Sequence, residues 1–506
     1  MRPKPTMRVA GAVAIALSGS CHAETNDELL AELNRLRERV ESLQEQVRSR
    51  QATPAPAPAS VSAPAPANVS AARYKGVTLT LGGFVAAETI YRQHNQGNDI
   101  STNWSATPYE NNAVGHTREM RLTARQSRLS LLAEGSRDLS TRLSFYSELD
   151  FQGGAQTANS NESNSYNPRL RHLYGTIDWQ SLGLHVLGGQ TWSLVTLNGA
   201  GITPRNEVAP PTIEGQYLPG FSWARQPQVR ITKDFGGTLW LALSVENPQT
   251  TFYASASPFL PSTHVSYQIP GGVGFDAANT LSINARPDVV GKMAYERPFA
   301  GRTMHVEAFG LLRSFYERLD RRNSNVSGGG VGAGLWFSLI PHLIEFESSA
   351  LAGRGIGRYG SGQLPDATFD PLGHIEPIRE VQILAGLTVH PTSTLDLYVF
   401  GGREKASARY YSLLAGSTPQ QYGYGNPSYS NVGCVEEAST STCTGNTRLL
   451  EQVTVGFWHK PYSGGYGQVR YGLQYSHTER KSFPGVGGEP TGIQNVVLAS
   501  LRYYPF

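Results

Sequence analysis

Beyond residue 23 the sequence lacks any run of about 18 consecutive apolar residues, the length that a membrane-spanning helix requires. A membrane protein without such a run must be a closed β-barrel, because only helices and closed barrels pair every backbone polar group within lipid. Lysine is also scarce, at seven of the 43 basic residues. The resulting excess of arginine suits carboxylate and phosphate recognition, although genomic base composition explains it equally well.

The sequence also lacks an excess of positive or negative charge beyond residue 23, and it lacks recognisable catalytic motifs. Residues 1–23 hold three of the 43 basic residues and no acidic one, so 40 basic and 40 acidic residues remain. This balance gives no indication of a nucleic-acid partner. We find no nucleophile elbow, no glycine-rich phosphate loop and no His pair at metal spacing. We therefore expect no cofactor, no metal and no enzyme, leaving only a hydrolase assembled from separate barrel strands as a minor alternative.

Residues 1–23 have the pattern of a secretory signal peptide. Three basic residues precede an apolar stretch at 9–17, and small residues lead to a cleavage site after Ala23. A lipoprotein signal through Cys21 is the weaker hypothesis, because Ser18 stands where such signals require Leu. The chain is therefore predicted to be exported.

Cysteine is nearly absent from the exported part. Only Cys434 and Cys443 remain, both within one long loop at 405–447. In an oxidising compartment such a pair predicts a disulfide that restrains this loop.

Residues 24–50 carry a heptad pattern behind a capping box formed by Thr25 and Glu28. They predict an N-terminal α-helical coiled coil, although a single helix docked on the following domain is the alternative. The heptads alone favour a dimer. Residues 51–75 are a Pro/Ala-rich linker expected to be extended. The predicted seam of the coil consists of Leu29, Leu33, Leu36, Val40, Leu43 and Val47.

Residues 76–506 change to a period of two, which indicates strands. Over 142–152, Leu143 and Phe145 alternate with polar residues such as Arg142 and Ser144. A soluble sandwich shows the same alternation, but loop length separates the two hypotheses. Sixteen candidate strands are joined by short and long connections in alternation, with 319–326 the shortest of the long set. This predicts an all-β, 16-stranded antiparallel transmembrane β-barrel enclosing an aqueous channel.

The C-terminus ends in an aromatic-rich segment, Leu501 to Phe506, of the kind that closes bacterial outer-membrane barrels. It predicts the outer membrane of a Gram-negative cell as the location, with both ends of the barrel and the coiled coil on the periplasmic side.

Three segments resemble the DcaP-like porins of Gram-negative bacteria: 168–175 (PRLRHLYG), 189–193 (GQTWS) and 224–230 (ARQPQVR). The resemblance is most specific over about 165–235. It implies a homotrimer of sixteen-stranded barrels in outer-membrane lipid that takes up small organic anions, dicarboxylates among them. It also implies a coil below the trimer, within reach of peptidoglycan or another periplasmic component, and so overrides the dimer preference of the heptads.

In trimeric porins the third long loop commonly folds into the lumen, and here that loop is 194–221. Its Glu207 and Glu214 are candidates for the constriction. Arginines at a constriction favour anions. The candidates for lining the channel and binding substrate are Arg142, Arg169, Arg171, Arg205, Arg225 and Arg230.

The predicted function is an anion-preferring diffusion channel with an Arg-lined constriction. One alternative is a sugar-selective porin, for which Trp192, Tyr217, Phe221 and Trp223 would supply part of an aromatic slide. Another is a barrel that anchors the coil so that the coil can tether the envelope.

Overall fold

The computed structural model describes residues 35, 38–39, 41–42, 71–153, 167–253, 268–270, 280–415 and 417–506. The predicted signal peptide lies outside these ranges, and so do all six seam positions of the predicted coil: Leu29, Leu33, Leu36, Val40, Leu43 and Val47. The described residues between 35 and 42 are helical and exposed. The coiled coil itself therefore stays a prediction.

Sixteen strands form one antiparallel sheet, each hydrogen-bonded to its sequence neighbours. In chain order they are β1 Val77–Arg92, β2 Arg128–Ser136, β3 Thr141–Gly153, β4 Asn167–Trp179, β5 Leu184–Trp192, β6 Arg225–Phe235, β7 Leu239–Glu246, β8 Asp288–Phe299, β9 Arg302–Leu319, β10 Arg322–Ile340, β11 Ile344–Arg354, β12 Arg379–Thr392, β13 Leu395–Ala406, β14 Thr447–Gly464, β15 Gly467–Ser482 and β16 Thr491–Tyr504.

The sheet closes on itself through its first and last strands. β1 pairs with β2 on one side and with β16 on the other, with Val85 opposite Tyr503. Closure leaves no long unpaired edge, which is the condition for crossing lipid as a sheet. The prediction of a closed sixteen-stranded antiparallel barrel is confirmed.

Apolar side chains face outward on this barrel. In β7, Leu241, Leu243 and Val245 are exposed, whereas the alternate Ser244 and Glu246 are buried in the interior. This reverses the arrangement of a soluble sandwich, whose apolar faces pack inward. The outward apolar face is the one suited to lipid.

One predicted strand and one predicted connection differ from the structure. The strand expected at 118–134 is interrupted, because 119–123 pairs with β1 as a short separate strand and a turn follows at 124–127. The long connection expected at 319–326 is wrong. β9 and β10 extend until only Asp320 and Arg321 join them, both with positive φ as in a two-residue hairpin turn.

The end of the predicted linker also has structure. Ala72–Tyr74 forms a short strand paired with the first residues of β1, so the linker expected to reach residue 75 ends in a hairpin. Lys75 and Gly76, both with positive φ, make the tight turn.

The long connections carry short elements of their own. Strands of three or seven residues pair locally within them, and the described residues also form five 3₁₀ turns, one of which lies in the short connection between β4 and β5. None of the helices among the described residues is long and apolar enough to cross a membrane. The short strands are Gln268–Pro270, Thr280–Ser282, Ala367–Phe369, Ile375–Pro377, Arg409–Ala415 and Thr418–Tyr424, and the 3₁₀ turns are Trp104–Ala106, Ala113–His116, Gln180–Leu182, Gly357–Tyr359 and Val432–Cys434.

Cys434 and Cys443 are joined by the predicted disulfide. It closes a short segment of the loop between β13 and β14, far along the chain from the loop between β5 and β6. Its effect is therefore expected to be local.

Replacing both cysteines with Ala should leave channel conductance unchanged while making the loop more sensitive to protease. A disulfide that closes a segment of this length stabilises the folded loop by about 2–3 kcal/mol, because it lowers the entropy of the unfolded loop. We expect this effect to be confined to the loop. Limited proteolysis combined with single-channel recording checks this. A changed conductance would mean that the loop contributes to the permeation path.

Candidate functional site: an arginine-lined wall beside an inward-folded loop

The loop between β5 and β6, residues 193–224, folds into the lumen and crosses it. The Trp458 Nε1 of β14 donates a hydrogen bond to the Pro211 carbonyl at 2.7 Å, and the Gly220 N–H donates to Glu404 Oε1 of β13 at 2.7 Å. Both partners stand on the wall far from the loop's own strands. We call 193–224 the constriction loop. It begins one residue before the predicted loop 194–221 and ends three residues after it.

The constriction loop fills part of the lumen with apolar side chains. Ile213, Leu218 and Phe221 pack against the inward-facing Leu384 and Phe400 of β12 and β13. An aqueous lumen without a packed core was expected, and that expectation was wrong in part. The solvated path must run beside this cluster.

Backbone geometry shows how tightly the loop is held. Arg205 and Tyr217 both have positive φ, of 72° and 68°, a conformation that bulky residues rarely adopt. Such conformations persist only when surrounding contacts impose them, and they concentrate at functional sites. At Gly220, an added Cβ would lie 2.0 Å from the Ile383 carbonyl oxygen, so this close approach requires glycine.

Partly exposed arginines line the wall formed by β2, β3 and β4 next to the loop. Their side chains are between 23% and 44% exposed, whereas Lys292 and Glu307 on β8 and β9 are fully buried against each other. Along β3, Arg142 and Asp150 lie on the same inward face roughly 26 Å apart at the usual rise per residue. The accessible arginines are Arg125, Arg128, Arg142, Arg169 and Arg205.

At the centre of this wall three arginines share two carboxylates. Arg169 holds Asp150 through two hydrogen bonds, of 2.6 and 3.0 Å. Arg171, which is buried, contacts Glu148 at 2.5 Å and Asp150 at 3.1 Å, and the Arg128 Nη1 lies 3.9 Å from Glu148. Arg169 and Arg171 are therefore partly neutralised, but the group as a whole keeps a positive excess.

Arg225 adds to that excess. Its guanidinium lies 4.4 Å from the ring centroid of Trp192 and 6.0 Å from that of Trp223. The Arg225 Nη1 is buried and makes no hydrogen bond within the part of the chain that the structure describes. Four guanidiniums thus stand against the two carboxylates of Glu148 and Asp150.

Tyr217, on the constriction loop, responds to this field. Burial acts to raise the pKa of its phenol, but the guanidiniums of Arg171, Arg128 and Arg225 outweigh burial and lower that pKa to about 8. The Arg171 Nη2 also lies 3.5 Å from the phenol oxygen. The pKa falls because the positive charge of these guanidiniums favours the phenolate over the neutral phenol.

The other predicted arginines lie toward the short-turn end. Arg142 pairs with Glu134, and the Arg205 Nη2 lies 3.6 Å from that same carboxylate. Arg205 also donates to the Tyr174 hydroxyl at 3.2 Å. Both arginines are accessible from the lumen.

Arg230 has a different surrounding from the one expected. It is buried, donates to the Trp192 carbonyl at 2.7 Å and to Gln228 at 3.1 Å, and lies 4.0 Å from Glu207. These contacts join β6 to Trp192, just before the constriction loop, and to Glu207 near the middle of the loop. Arg230 therefore holds the loop in place and is not available to a passing solute.

The two loop carboxylates also hold structure. Glu214 accepts hydrogen bonds from the backbone N–H and the hydroxyl of Thr102, both at 2.8 Å, and from Gln216 N–H at 3.2 Å. Glu207 accepts one from its neighbour Arg205 N–H at 2.8 Å. Burial raises the pKa of both carboxyl groups, although nearby arginines oppose that rise.

The aromatic residues considered for a sugar slide pack mainly on one another. Trp192, Tyr217 and Phe221 are at least 92% buried, and their ring centroids lie 4.7–6.1 Å apart. Trp223 is partly exposed. Such a cluster stabilises the loop and offers little ring surface to a solute.

Arg128 was missed as a site residue, although the alternation of Leu129 and Leu131 with Arg128 and Ser130 places it inward. Arg125 was missed because the strand interruption that turns it into the lumen has no clear sequence signal. Within the described ranges, no three His, Cys, Asp or Glu residues come together in a way that could hold a metal ion.

A closed sixteen-stranded barrel with a loop folded into its lumen is the architecture of the porins. Among solved structures, the outer membrane channel DcaP of Acinetobacter baumannii matches at 20% identity and a TM-score of 0.60, covering 86% of this chain and 99% of that one. The chain therefore has the fold of that channel, as the resemblance implied.

Two further solved structures match less well. An anion-selective porin from Comamonas acidovorans matches at 12% identity and a TM-score of 0.45, covering 85% of this chain and 99% of that one. OprB of Pseudomonas putida matches at 10% identity and a TM-score of 0.46, covering 84% and 94%. No family model and no curated protein sequence matches this chain.

Proposed function

We propose that this protein is an outer-membrane diffusion channel that prefers small organic anions such as dicarboxylates. The observation that carries the proposal is the positive excess beside the constriction loop, where four arginines face two carboxylates and Arg225 Nη1 has no hydrogen-bond partner among the described residues. Charges that line a narrow pore set its ion selectivity. The fold shared with an outer membrane channel supports the location and the transport role.

The arrangement of charge suggests why two carboxylates on one solute are favoured. The central arginines and the Arg142–Arg205 pair lie at different depths along the same wall. A solute with two anionic ends passes the two groups one after the other and presents two charges to each of them, whereas a neutral sugar gains from neither. The sugar hypothesis has no comparable support, because the aromatic cluster is buried and offers little ring surface to a sugar.

The remaining parts of the proposal follow from the sequence. We propose a homotrimer, with the short turns and the coiled coil of residues 24–50 on the periplasmic side. The coil then lies within reach of peptidoglycan. A trimeric mass for the full chain in detergent would support this assembly, and a monomeric mass would remove it.

Liposome swelling tests the solute preference. Liposomes containing the full chain are diluted into isotonic succinate, a neutral solute of similar size or a diamine of similar size. Faster swelling in succinate supports the proposal. Equal rates for succinate and the diamine would overturn the anion preference while leaving the channel function in place.

The anion preference is expected to fall as pH rises through about 8. Below that pH the Tyr217 phenol is neutral, and above it the phenol carries a negative charge among Arg128, Arg171 and Arg225. The permeability ratio of anion to cation, measured between pH 6.5 and pH 9.5, should therefore show a step that Tyr217→Phe removes. An unchanged step in Tyr217→Phe would assign the titration to another group.

A further inference from the structure

Two arginines stand directly opposite each other on the outside of the barrel. Arg354 ends β11 and Arg379 begins β12, and they are cross-strand partners at the long-loop end. Both are exposed, and they share the outward face with Ala352 and Val381. Like charges in this relation repel each other and destabilise the pair of strands.

Neither arginine is compensated by a carboxylate. No acidic group among the described residues lies within 4.0 Å of the Arg354 or Arg379 guanidinium, since every ion pair at that distance involves other residues. The repulsion between them is therefore not relieved by the chain in these ranges. A bound ligand of opposite charge would relieve it directly.

Two other outward cations at the same end of the barrel are paired with carboxylates. Arg403 lies 3.2 Å from Glu451, and Lys481 lies 2.7 Å from Glu479 and 3.7 Å from Glu451. These residues stand on β13, β14 and β15 with their side chains on the outer face. Arg354 and Arg379 differ from these paired cations in that they stand directly opposite each other with no carboxylate of the described residues within 4.0 Å.

Two recesses meet at this pair of arginines. One has a volume of about 670 Å³ and an apolar outward lining that includes Leu312, Val331 and Val381. The other has a volume of about 260 Å³ and a polar lining that includes Ser407 and Arg409. Arg354 and Arg379 line both.

The apolar recess exists because side chains are small or missing there. Position 329 on β10 is Gly with φ +136°, and an added Cβ would lie 2.1 Å from the Leu311 carbonyl oxygen. Ala352 on β11 adds only a methyl group. Leu312 and Val331 beside them are each 69% exposed, so an apolar surface is left uncovered.

The polar recess keeps a positive excess. Its lining has three arginines and one carboxylate, and that carboxylate, Glu376, already holds Arg409 at 2.6 Å. The charge of Arg354 and Arg379 is therefore free to meet a ligand. Arginine forks bind phosphate through two parallel hydrogen bonds, which makes phosphate a well-matched group.

We propose that Arg354 and Arg379 bind the phosphate of a membrane lipid whose acyl chain lies in the apolar recess. This order, with the acyl chain toward the barrel's middle and the phosphate toward the long-loop end, is the order of a lipid in the leaflet at that end. The proposal rests on the barrel spanning the membrane, as in the proposed function. It concerns the outer face and does not depend on what the lumen conducts.

Native mass spectrometry of the full chain in a phosphate-free, non-ionic detergent tests this site. The protein is titrated with diphosphoryl lipid A, and lipid bound per chain is counted. We expect the variant Arg354→Gln/Arg379→Gln to bind at least tenfold more weakly than the unaltered protein. The charge-retaining Arg354→Lys/Arg379→Lys should bind with intermediate affinity, because lysine keeps the charge but loses the fork.

Arg403→Gln/Lys481→Gln is the matched control, since it also removes two outward cations from the same end. It should bind lipid A as the unaltered protein does, and an equal loss in both double variants would overturn the proposal by showing that any outward charge suffices. Displacement by equimolar inorganic phosphate, or equal binding of diacylglycerol, would also overturn it. So would a change in oligomer mass with lipid binding intact, which would make the pair an interface between copies.

Folding and function are monitored separately. Each variant should remain resistant to unfolding by dodecyl sulfate at room temperature, and its anion preference in bilayers should be unchanged because the pair lies outside the lumen. If the glutamine variant does not fold, the lysine variant serves as the test. The proposal is contradicted if the lysine variant binds lipid A as tightly as the unaltered protein and inorganic phosphate displaces that lipid. A channel that shows no anion preference yet binds lipid A through these arginines would contradict only the proposed function.

Discussion

Replacing Arg225 with Gln is expected to lower the anion-to-cation permeability ratio roughly threefold to tenfold. A unit charge passing about 6 Å from the guanidinium gains about 0.7–1.4 kcal/mol at effective dielectric constants between about 80 and 40. Arg225 has no carboxylate partner among the described residues, so its removal takes away charge that nothing else offsets. Reversal potentials under a salt gradient, measured for both proteins, give the ratio directly.

Arg403→Gln is the control for this variant, because Arg403 lies on the outer face and pairs with Glu451. It should leave the ratio unchanged. If the Arg225→Gln channel keeps the permeability ratio of the unaltered protein, the solute path avoids Arg225. Arg142 and Arg205 would then be the arginines to replace next.

Glu214→Ala is expected to release the constriction loop from its anchor and to increase both single-channel conductance and current noise. The substitution leaves two Thr102 donors and the Gln216 N–H without their acceptor in a buried site. Each unsatisfied donor costs about 1–3 kcal/mol, and the two Thr102 donors lie outside the loop, so the loop's attachment should weaken by at least about 2 kcal/mol. Single-channel recording measures the result.

Glu214→Gln is the matched variant for that experiment. Its side-chain oxygen still accepts a hydrogen bond from Thr102, so conductance should stay close to that of the unaltered protein. If Glu214→Ala conducts with the same amplitude and noise, then the contacts at Pro211 and Gly220 hold the loop without help from Glu214.

The barrel was largely predictable because lipid and water impose a simple alternation on each strand. The first strand was expected at 77–92 and is found there, and the sixteen-strand count is also confirmed. The expectation failed at Asp320 and Arg321, where two long strands extend into what loop spacing assigned to a connection. A two-residue hairpin without Gly or Asn carries little turn signal in the sequence.

The site was only partly predictable. Alternation places Arg142 and Arg230 on inward faces, whereas Arg171 turns inward through a register shift in β4, and alternation carries no information about what each one meets inside. Arg230 is taken up by the Trp192 carbonyl, and Arg171 by Glu148 and Asp150. These partners come from strands and loops that only the closed barrel brings together, so pairing could not be read from the chain.

The constriction loop shows the same limit. Its glycines and prolines indicate irregular backbone, and its place in the loop order indicated an inward fold. The anchors on Glu404 and Trp458 lie more than 180 residues later in the chain. Tyr217 could be listed as aromatic from the sequence, but its lowered pKa depends on three arginines from β2, β4 and β6.

The reversal potential across a planar bilayer, with full-length protein under a tenfold potassium chloride gradient, tests the central claim most directly. We predict a potential of the sign produced by chloride permeating faster than potassium, and a smaller potential at pH 9.5 than at pH 6.5. A potential of the opposite sign, showing cation preference, would contradict the proposal that the arginine-lined wall selects anions.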